Sequence, residues 1–347
     1  MLAAIDAASS SIGLSTYIFR ADAVGLRFVA ALAAAQGRGV EVRVLIDGIG
    51  GGYLLSPAYR QLRQSGIPAA RFLHSPLPWR MPFLNMRTHK KLLVIDGVTA
   101  FAGGLNIGAE NVLATHPRRP VIDTHFELAG PVVAQLVEAF AEDWLFASGE
   151  ALSGLAWFPR PAPLASSGMT ARAVTSGPDA DLEKLEFIRL AAIASARRSV
   201  RVATPYFLPD ERLCSALELA ALRGVAVDLV IPERSNRRLV DWAARAQARP
   251  LLAAGCRVWR AAAPFTHSKL MTVDGAWSLV GSANWDLRSL RLNFELDVEV
   301  YDEGLAVRIE DRILERAGQP LTTAELDNRR LPITLRDAAA RLLLPYL

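Results

Sequence analysis

The sequence predicts an α/β protein in which one unit is written twice. Each half is expected to be a mixed sheet flanked by helices. The halves are expected to pack face to face about a pseudo-twofold, with one active site shared between them. Three observations predict this. A twenty-residue stretch occurs twice, the order of elements leading to it occurs twice, and a Pro/Ser-rich segment, FPRPAPLASSG (158–168), separates the copies.

The repeated stretch reads RTHKKLLVIDGVTAFAGGLN from Arg87 and FTHSKLMTVDGAWSLVGSAN from Phe265. Each copy sets a His, a Lys two residues on and an Asp seven residues on: His89, Lys91 and Asp96, then His267, Lys269 and Asp274. Each then runs through Asp-Gly and a second apolar segment to Gly-Gly/Ser-x-Asn, which is Gly103, Gly104 and Asn106 in one copy and Gly281, Ser282 and Asn284 in the other. LLVID and LMTVD are short, apolar and partly β-branched, and end in a strong hairpin signal. On a strand, residues i and i+2 share a face, so each His stands beside its Lys. A neutral imidazole next to a fixed ammonium suits attack on an anionic phosphate: the Lys neutralises the oxygens while the His acts as nucleophile or proton donor. The glycines let backbone approach an anion, and the amide and hydroxyl side chains add donors, which makes these six residues candidate substrate contacts. Asp96 and Asp274 complete the motif, but each also opens a hairpin turn, where Asp is favoured on turn chemistry alone.

In chain order, the first half opens with an Ala-rich helix (2–10) and the strand IGLSTYIF (12–19). A helix (24–36), the strand VEVRVLID (40–47) and a helix around Leu62 ending near Gly66 lead to the first motif. The second half repeats the order: helix 185–197, strand SVRVATPYF, helix 211–222, strand VAVDLVI, helix 241–254, motif. Thr16/Tyr17 align with Thr204/Tyr206, Arg38-Gly39-Val40 with Arg223-Gly224-Val225, and Gly66 with Gly255. The expected organisation is a first domain over 1–157, a linker over 158–169, a second domain over 170–320 and an amphipathic tail over 321–347. The second half has a leading strand, TARAVTSGPD (170–179), with no counterpart before the first helix of the first half. The expectation is therefore a truncated or shortened start.

Composition narrows the function. A charge of +4 and a pI near 9.3 favour an anionic partner, a lipid surface or a nucleic acid. No apolar run reaches the ~18 residues of a membrane-spanning helix, and no basic region leads into an apolar one at the start. Cys214 and Cys256 lack metal or redox spacing and read as reduced thiols. Of 39 basic residues only Lys90, Lys91, Lys184 and Lys269 are lysines, so a chain that writes Arg almost everywhere keeps Lys at both motif positions. Two apolar segments could meet a membrane: SPLPWRMPFLNMR (75–87), with Trp79, Met81, Phe83 and Leu84 around Arg80, and the C-terminal ITLRDAAARLLLPYL.

The paired His-x-Lys-x-x-x-x-Asp motifs, each followed by Gly-Gly/Ser-x-Asn, resemble the phospholipase D superfamily. LSTYIFRADAVG, VLIDGIG, AFAGGLNIG and SANWDLRSLRLNFELDVEVYD are similar to bacterial cardiolipin synthases in particular, and the resemblance covers nearly the whole chain. It implies two phospholipase D-like α/β domains and a phosphohistidine mechanism without metal or cofactor. It also implies His89 as nucleophile, His267 as acid and base, and the acids Asp123 and Glu295 as supports for the imidazoles. The implied reaction moves a phosphatidyl group between anionic glycerophospholipids, and the implied place is the cytoplasmic side of the bacterial inner membrane, peripheral to it, or the cytoplasm. Hydrolysis by a phospholipase D is the first alternative. A superfamily nuclease is the second, disfavoured because aromatic content is only 7% and the arginines are scattered. A catalytically dead lipid-binding scaffold is disfavoured because both motifs are intact.

Overall fold

The structure is a computed structural model and describes residues 1–75, 77, 85–160 and 168–342. The apolar segment around Trp79 to Leu84, most of the linker and the last five residues of the tail lie outside the described residues. The chain divides into two compact units. The first holds Met1–Pro120, Thr124–Gly168 and Asn293–Leu296; the second holds Val121–Asp123, Met169–Leu292 and Asp297–Leu347. Each unit thus contains a short segment, three or four residues long, taken from the other half of the sequence.

In the first half of the chain the elements are α1 (Leu2–Ala7), β1 (Ser11–Thr16), α2 (Ala23–Gly37), β2 (Glu41–Asp47), α3 (Pro57–Gln64), β3 (Ala69–Phe72), β4 (Arg87–Thr88), β5 (Leu92–Ile95), β6 (Thr99–Gly103), β7 (Val121–Ile122), β8 (His125–Ala129) and α4 (Val132–Ser148). The sheet of the first unit runs β3-β2-β1-β5-β6-β8. β1 to β3 are parallel, and β5, β6 and β8 alternate in direction beside them. Strand alternation sorts the two faces. Ile12 and Leu14 pack with Phe28 and Leu32 of α2 in one buried cluster. Gly13, pointing the other way, leaves room for Phe140 of α4, which a Cβ there would meet at 2.6 Å.

The second half carries β9 (Thr170–Ser176), α5 (Lys184–Ser195), β10 (Ser199–Ala203), β11 (Phe207–Leu208), α6 (Glu211–Leu222), β12 (Ala226–Pro232), α7 (Arg238–Ala253), β13 (Arg257–Ala261), β14 (Phe265–Thr266), β15 (Leu270–Val273), β16 (Trp277–Gly281), β17 (Trp285–Asp286), α8 (Leu287–Arg291), β18 (Asn293–Tyr301), α9 (Glu303–Leu314), β19 (Gln319–Leu321), α10 (Thr323–Asp327) and α11 (Leu331–Leu342). Its sheet order, β13-β12-β10-β15-β16-β18, repeats that of the first unit strand for strand. β19 is added beside β13, and the leading strand β9 beside β18. Val200 and Val202 face the cluster built with α5, α6 and α7. Between them Arg201 faces the other way and reaches Glu310 of α9 at 3.1 Å. Helices α4 and α9, which the sequence reading did not name, therefore hold equivalent places in the two units.

The tail is not separate through Leu342. β19 pairs with β13, and α11 packs on α7. Ala340 is buried with Leu208, Val240, Ala243 and Ala244, and the Arg336 guanidinium lies 4.1 Å over the Trp242 ring. Asp337, 2% exposed, is paired with Arg329 at 2.6 Å and Arg336 at 2.7 Å. The helix docks through Ala340 and the paired Asp337, while Leu331, Leu335 and Leu342 stay exposed. Both cysteines are free, and burial pushes each thiol up to about 12.

Candidate active site

Both motif hairpins form as the sequence implies. Asp96 and Gly97 have φ of 54° and 65°, and Asp274 and Gly275 have 56° and 61°, the left-handed pair that joins β5 to β6 and β15 to β16. Each histidine lies just before its strand, held through its backbone by a two-residue parallel pairing. Arg87–Thr88 (β4) pairs with Asn293–Phe294, and the His89 N–H donates to the Phe294 carbonyl at 2.8 Å. Phe265–Thr266 (β14) pairs with Val121–Ile122 (β7), and the His267 N–H donates to the Ile122 carbonyl at 2.7 Å. In both cases the segment exchanged between halves is the one that pairs.

This pairing delivers an acid to each imidazole. In the first unit His89 Nδ1 lies 3.0 and 2.9 Å from the two carboxylate oxygens of fully buried Glu295, which also accepts from Asn293 at 3.1 Å. In the second, His267 Nδ1 lies 2.7 Å from Asp123 Oδ2. A ring Nδ1–H donated to a carboxylate fixes the tautomer and leaves Nε2 to carry the chemistry. Each motif Lys donates to the carbonyl of its own His, Lys91 to His89 at 2.5 Å and Lys269 to His267. Lys269 Nζ is also 2.8 Å from His267 Nδ1. A nitrogen that gives its hydrogen to Asp123 has no lone pair in that plane, so this last approach is a charge contact. His89 and Lys91 are 7% and 2% exposed and Lys269 4%.

Two residues beside the histidines carry no role in the sequence reading. The Tyr17 ring meets His89 edge-on at 5.0 Å between centroids and lies 5.4 Å from the Lys91 ammonium. Tyr206 meets His267 edge-on at 6.1 Å. The alignment of Tyr17 with Tyr206 was the available signal, since they follow the equivalent strands β1 and β10. Asp47 is the third addition. Its Oδ2 accepts from Thr88 N at 2.9 Å and its Oδ1 from Ile49 N and Gly50 N at 2.9 and 2.6 Å. Burial pushes this carboxyl up to about 6, against the opposing pull of those N–H groups and of Arg87.

Other candidates stand elsewhere. Asp96 follows the end of β5 that His89 precedes, roughly 20 Å along an extended chain. Its carboxylate accepts from Ser9 N, Ser10 N at 2.7 Å and Ser11 N at 3.0 Å, tying the hairpin to the start of β1. Asp274 does the same for β10 through Arg197 N, Arg198 N and Ser199 N at 2.9, 2.7 and 2.8 Å. Burial alone would raise both carboxyls, but the converging backbone donors hold them below the ordinary carboxylate value. Their place is architectural, because a hairpin-opening Asp faces the neighbouring strand's start rather than its end.

The Gly-Gly/Ser-x-Asn groups are likewise used inside the fold. Gly104 N donates to Thr124 O at 3.0 Å, and a Cβ on Gly103 would meet that same carbonyl at 2.5 Å. Asn106 Oδ1 accepts from Ile18 N at 3.2 Å. At the end of β16, where Gly281 pairs with Asp297, Ser282 N and Ala283 N donate to Asp297 Oδ1 at 2.8 and 3.0 Å. Asn284 Nδ2 donates to Ser289 at 3.2 Å. Gly103 answers the close approach of β8.

A repeated α/β unit with a carboxylate-held histidine and a lysine in each copy defines the phospholipase D-like class. A family model described as Cardiolipin synthase, PLD-like domain matches residues 1–144 and 190–316, and the chain belongs to that family. The chain is 36% identical to Major cardiolipin synthase ClsA of Bacillus subtilis (strain 168), over 100% of this chain and 72% of that protein. It is 38% identical to Cardiolipin synthase A of Pseudomonas aeruginosa (strain LESB58), over 100% of this chain and 70% of that protein. The crystal structure of phosphatidylserine synthase from Haemophilus influenzae Rd KW20 shares the fold at a TM-score of 0.75 and 15% identity, covering 100% of this chain and 92% of that one.

Proposed function

We propose that this protein is a phosphatidyltransferase of the cardiolipin synthase type, working at a membrane surface on its cytoplasmic side. The carrying observation is that both motif histidines present Nδ1 to a buried carboxylate, Glu295 for His89 and Asp123 for His267. His89 Nε2 attacks the phosphorus of phosphatidylglycerol, forming the N–P bond as the P–O bond to glycerol breaks. Protonated His267 gives its proton to the departing glycerol oxygen. It then takes the proton of the terminal hydroxyl of a second phosphatidylglycerol, whose oxygen forms the new P–O bond as N–P breaks. The products are cardiolipin and glycerol. Glu295 and Asp123 orient the rings and stabilise each imidazolium, and Lys91 and Lys269 offset the phosphate charge. Among the described residues no helix is long and apolar enough to cross a membrane.

The test is product analysis by mass spectrometry with phosphatidylglycerol vesicles. Cardiolipin should accumulate; phosphatidic acid alone would reassign the protein as a hydrolase. His89→Ala should abolish turnover of every diester. His267→Ala should lose at least about a hundredfold on natural lipid, yet still trap phosphohistidine at His89 from a nitrophenyl diester, whose leaving group needs no proton. An adduct on His267 in the His89 variant would reverse the roles.

A further inference from the structure

The loop 48–56 joins β2 to α3 at the end of the sheet that carries His89. Asp47 binds both sides of that junction, accepting from the loop at Ile49 and Gly50 and from Thr88 next to the histidine. Gly50 lies against Tyr17, where a Cβ would meet the ring at 2.5 Å, and Tyr17 in turn touches His89. The loop is braced. Arg71 Nη2 donates to the carbonyls of Gly48, Gly52 and Tyr53 at 2.7, 2.5 and 2.9 Å, and the Tyr53 hydroxyl donates to Ser75 O at 2.9 Å. Gly52, at φ 97°, makes the tight turn that a side chain would block, since its Cβ would meet Leu55 O at 2.2 Å.

At the tip of this braced loop Leu54 and Leu55 are 81% and 69% exposed. Two adjacent leucines held out on a braced loop present an apolar tip that an apolar phase can cover. Charge says what that is. Between Asp47 and Asp96 the chain has no Asp or Glu and seven Lys and Arg. Arg60 and Arg63, exposed on α3, follow the leucines directly. An apolar tip followed in the chain by exposed cations complements an anionic bilayer: the leucines enter the acyl boundary while the arginines meet headgroup phosphates.

We propose that Leu54 and Leu55 insert into the anionic membrane surface and set the His89 end of the first unit against the lipid. This rests on the phosphatidyltransferase reading only for what the surface delivers. The experiment measures co-sedimentation with phosphatidylglycerol/phosphatidylcholine vesicles, and transfer on those vesicles and on a short-chain phosphatidylglycerol below its micelle concentration. Leu54→Ser/Leu55→Ser should weaken vesicle binding and vesicle turnover by about tenfold or more, and keep monomer turnover within about twofold. Leu54→Trp should strengthen vesicle binding, because Trp favours the interface. Leu222→Ser, at a leucine 71% exposed at the end of α6, should change neither. Wild-type protein that does not bind the vesicles overturns the proposal, and so does binding indifferent to both loop variants. Those results leave the transferase reading standing if monomeric lipid is still converted. Binding that responds as expected while no lipid is converted keeps the surface and defeats the reaction.

Discussion

At the scale of single residues, Asp96 and Asp274 are where motif membership and physical role part. Each gathers three backbone N–H groups at the start of a central strand, an arrangement that favours the ionised carboxylate. Asp96→Asn or Asp274→Asn should therefore cost about 1–3 kcal/mol of stability at pH 7, since charge-assisted acceptance is lost. The pH dependence has a definite sign. Both folded-state values are lowered, so the stabilisation is present above the unfolded carboxylate value and is lost as pH falls through the lower folded one. The gap between wild type and variant, measured by denaturant titration, should close below about pH 4. A gap that widens on acidification would contradict the anchoring role. Activity per folded molecule should change far less than for the histidine variants.

At the scale of elements, the strands were more legible than the helices that cover them. The i, i+2 spacing and the Asp-Gly turns placed β5, β6, β15 and β16, because a hairpin's information is local. Helix α4 left no comparable mark: it buries Val133, Leu136, Val137, Phe140 and Trp144 yet exposes Leu145 and Phe146, so its apolar residues do not fall on one clean face. The tail could be read two ways for a related reason, since a stripe that docks on protein and one that docks on lipid look alike in sequence. In α11 the buried face is Ala340 and Asp337, and the leucines Leu335 and Leu342 remain exposed. Ala340 sits 3% exposed against α7, and Ala340→Leu should overpack that contact and lower stability by about 1–3 kcal/mol. An unchanged Tm would mean that the helix is only loosely attached.

At the scale of the whole molecule, the duplication was plain in the sequence but the crossing of its segments was not. Asp123 and Glu295 could be nominated by resemblance; which imidazole each would hold depends on pairing across 144 and 206 residues, which no local pattern records. That crossing has a consequence for the gene as much as for the enzyme. A chain severed in the linker would give one fragment with His89 and no Glu295, and another with His267 and no Asp123. Each fragment expressed alone should be inert, and mixing the two should restore transfer with a rate that depends on their concentrations. Activity in either fragment by itself would show that the acids are dispensable. The two halves can drift apart in sequence, but neither can be inherited, lost or shuffled without stranding a histidine in the one that remains.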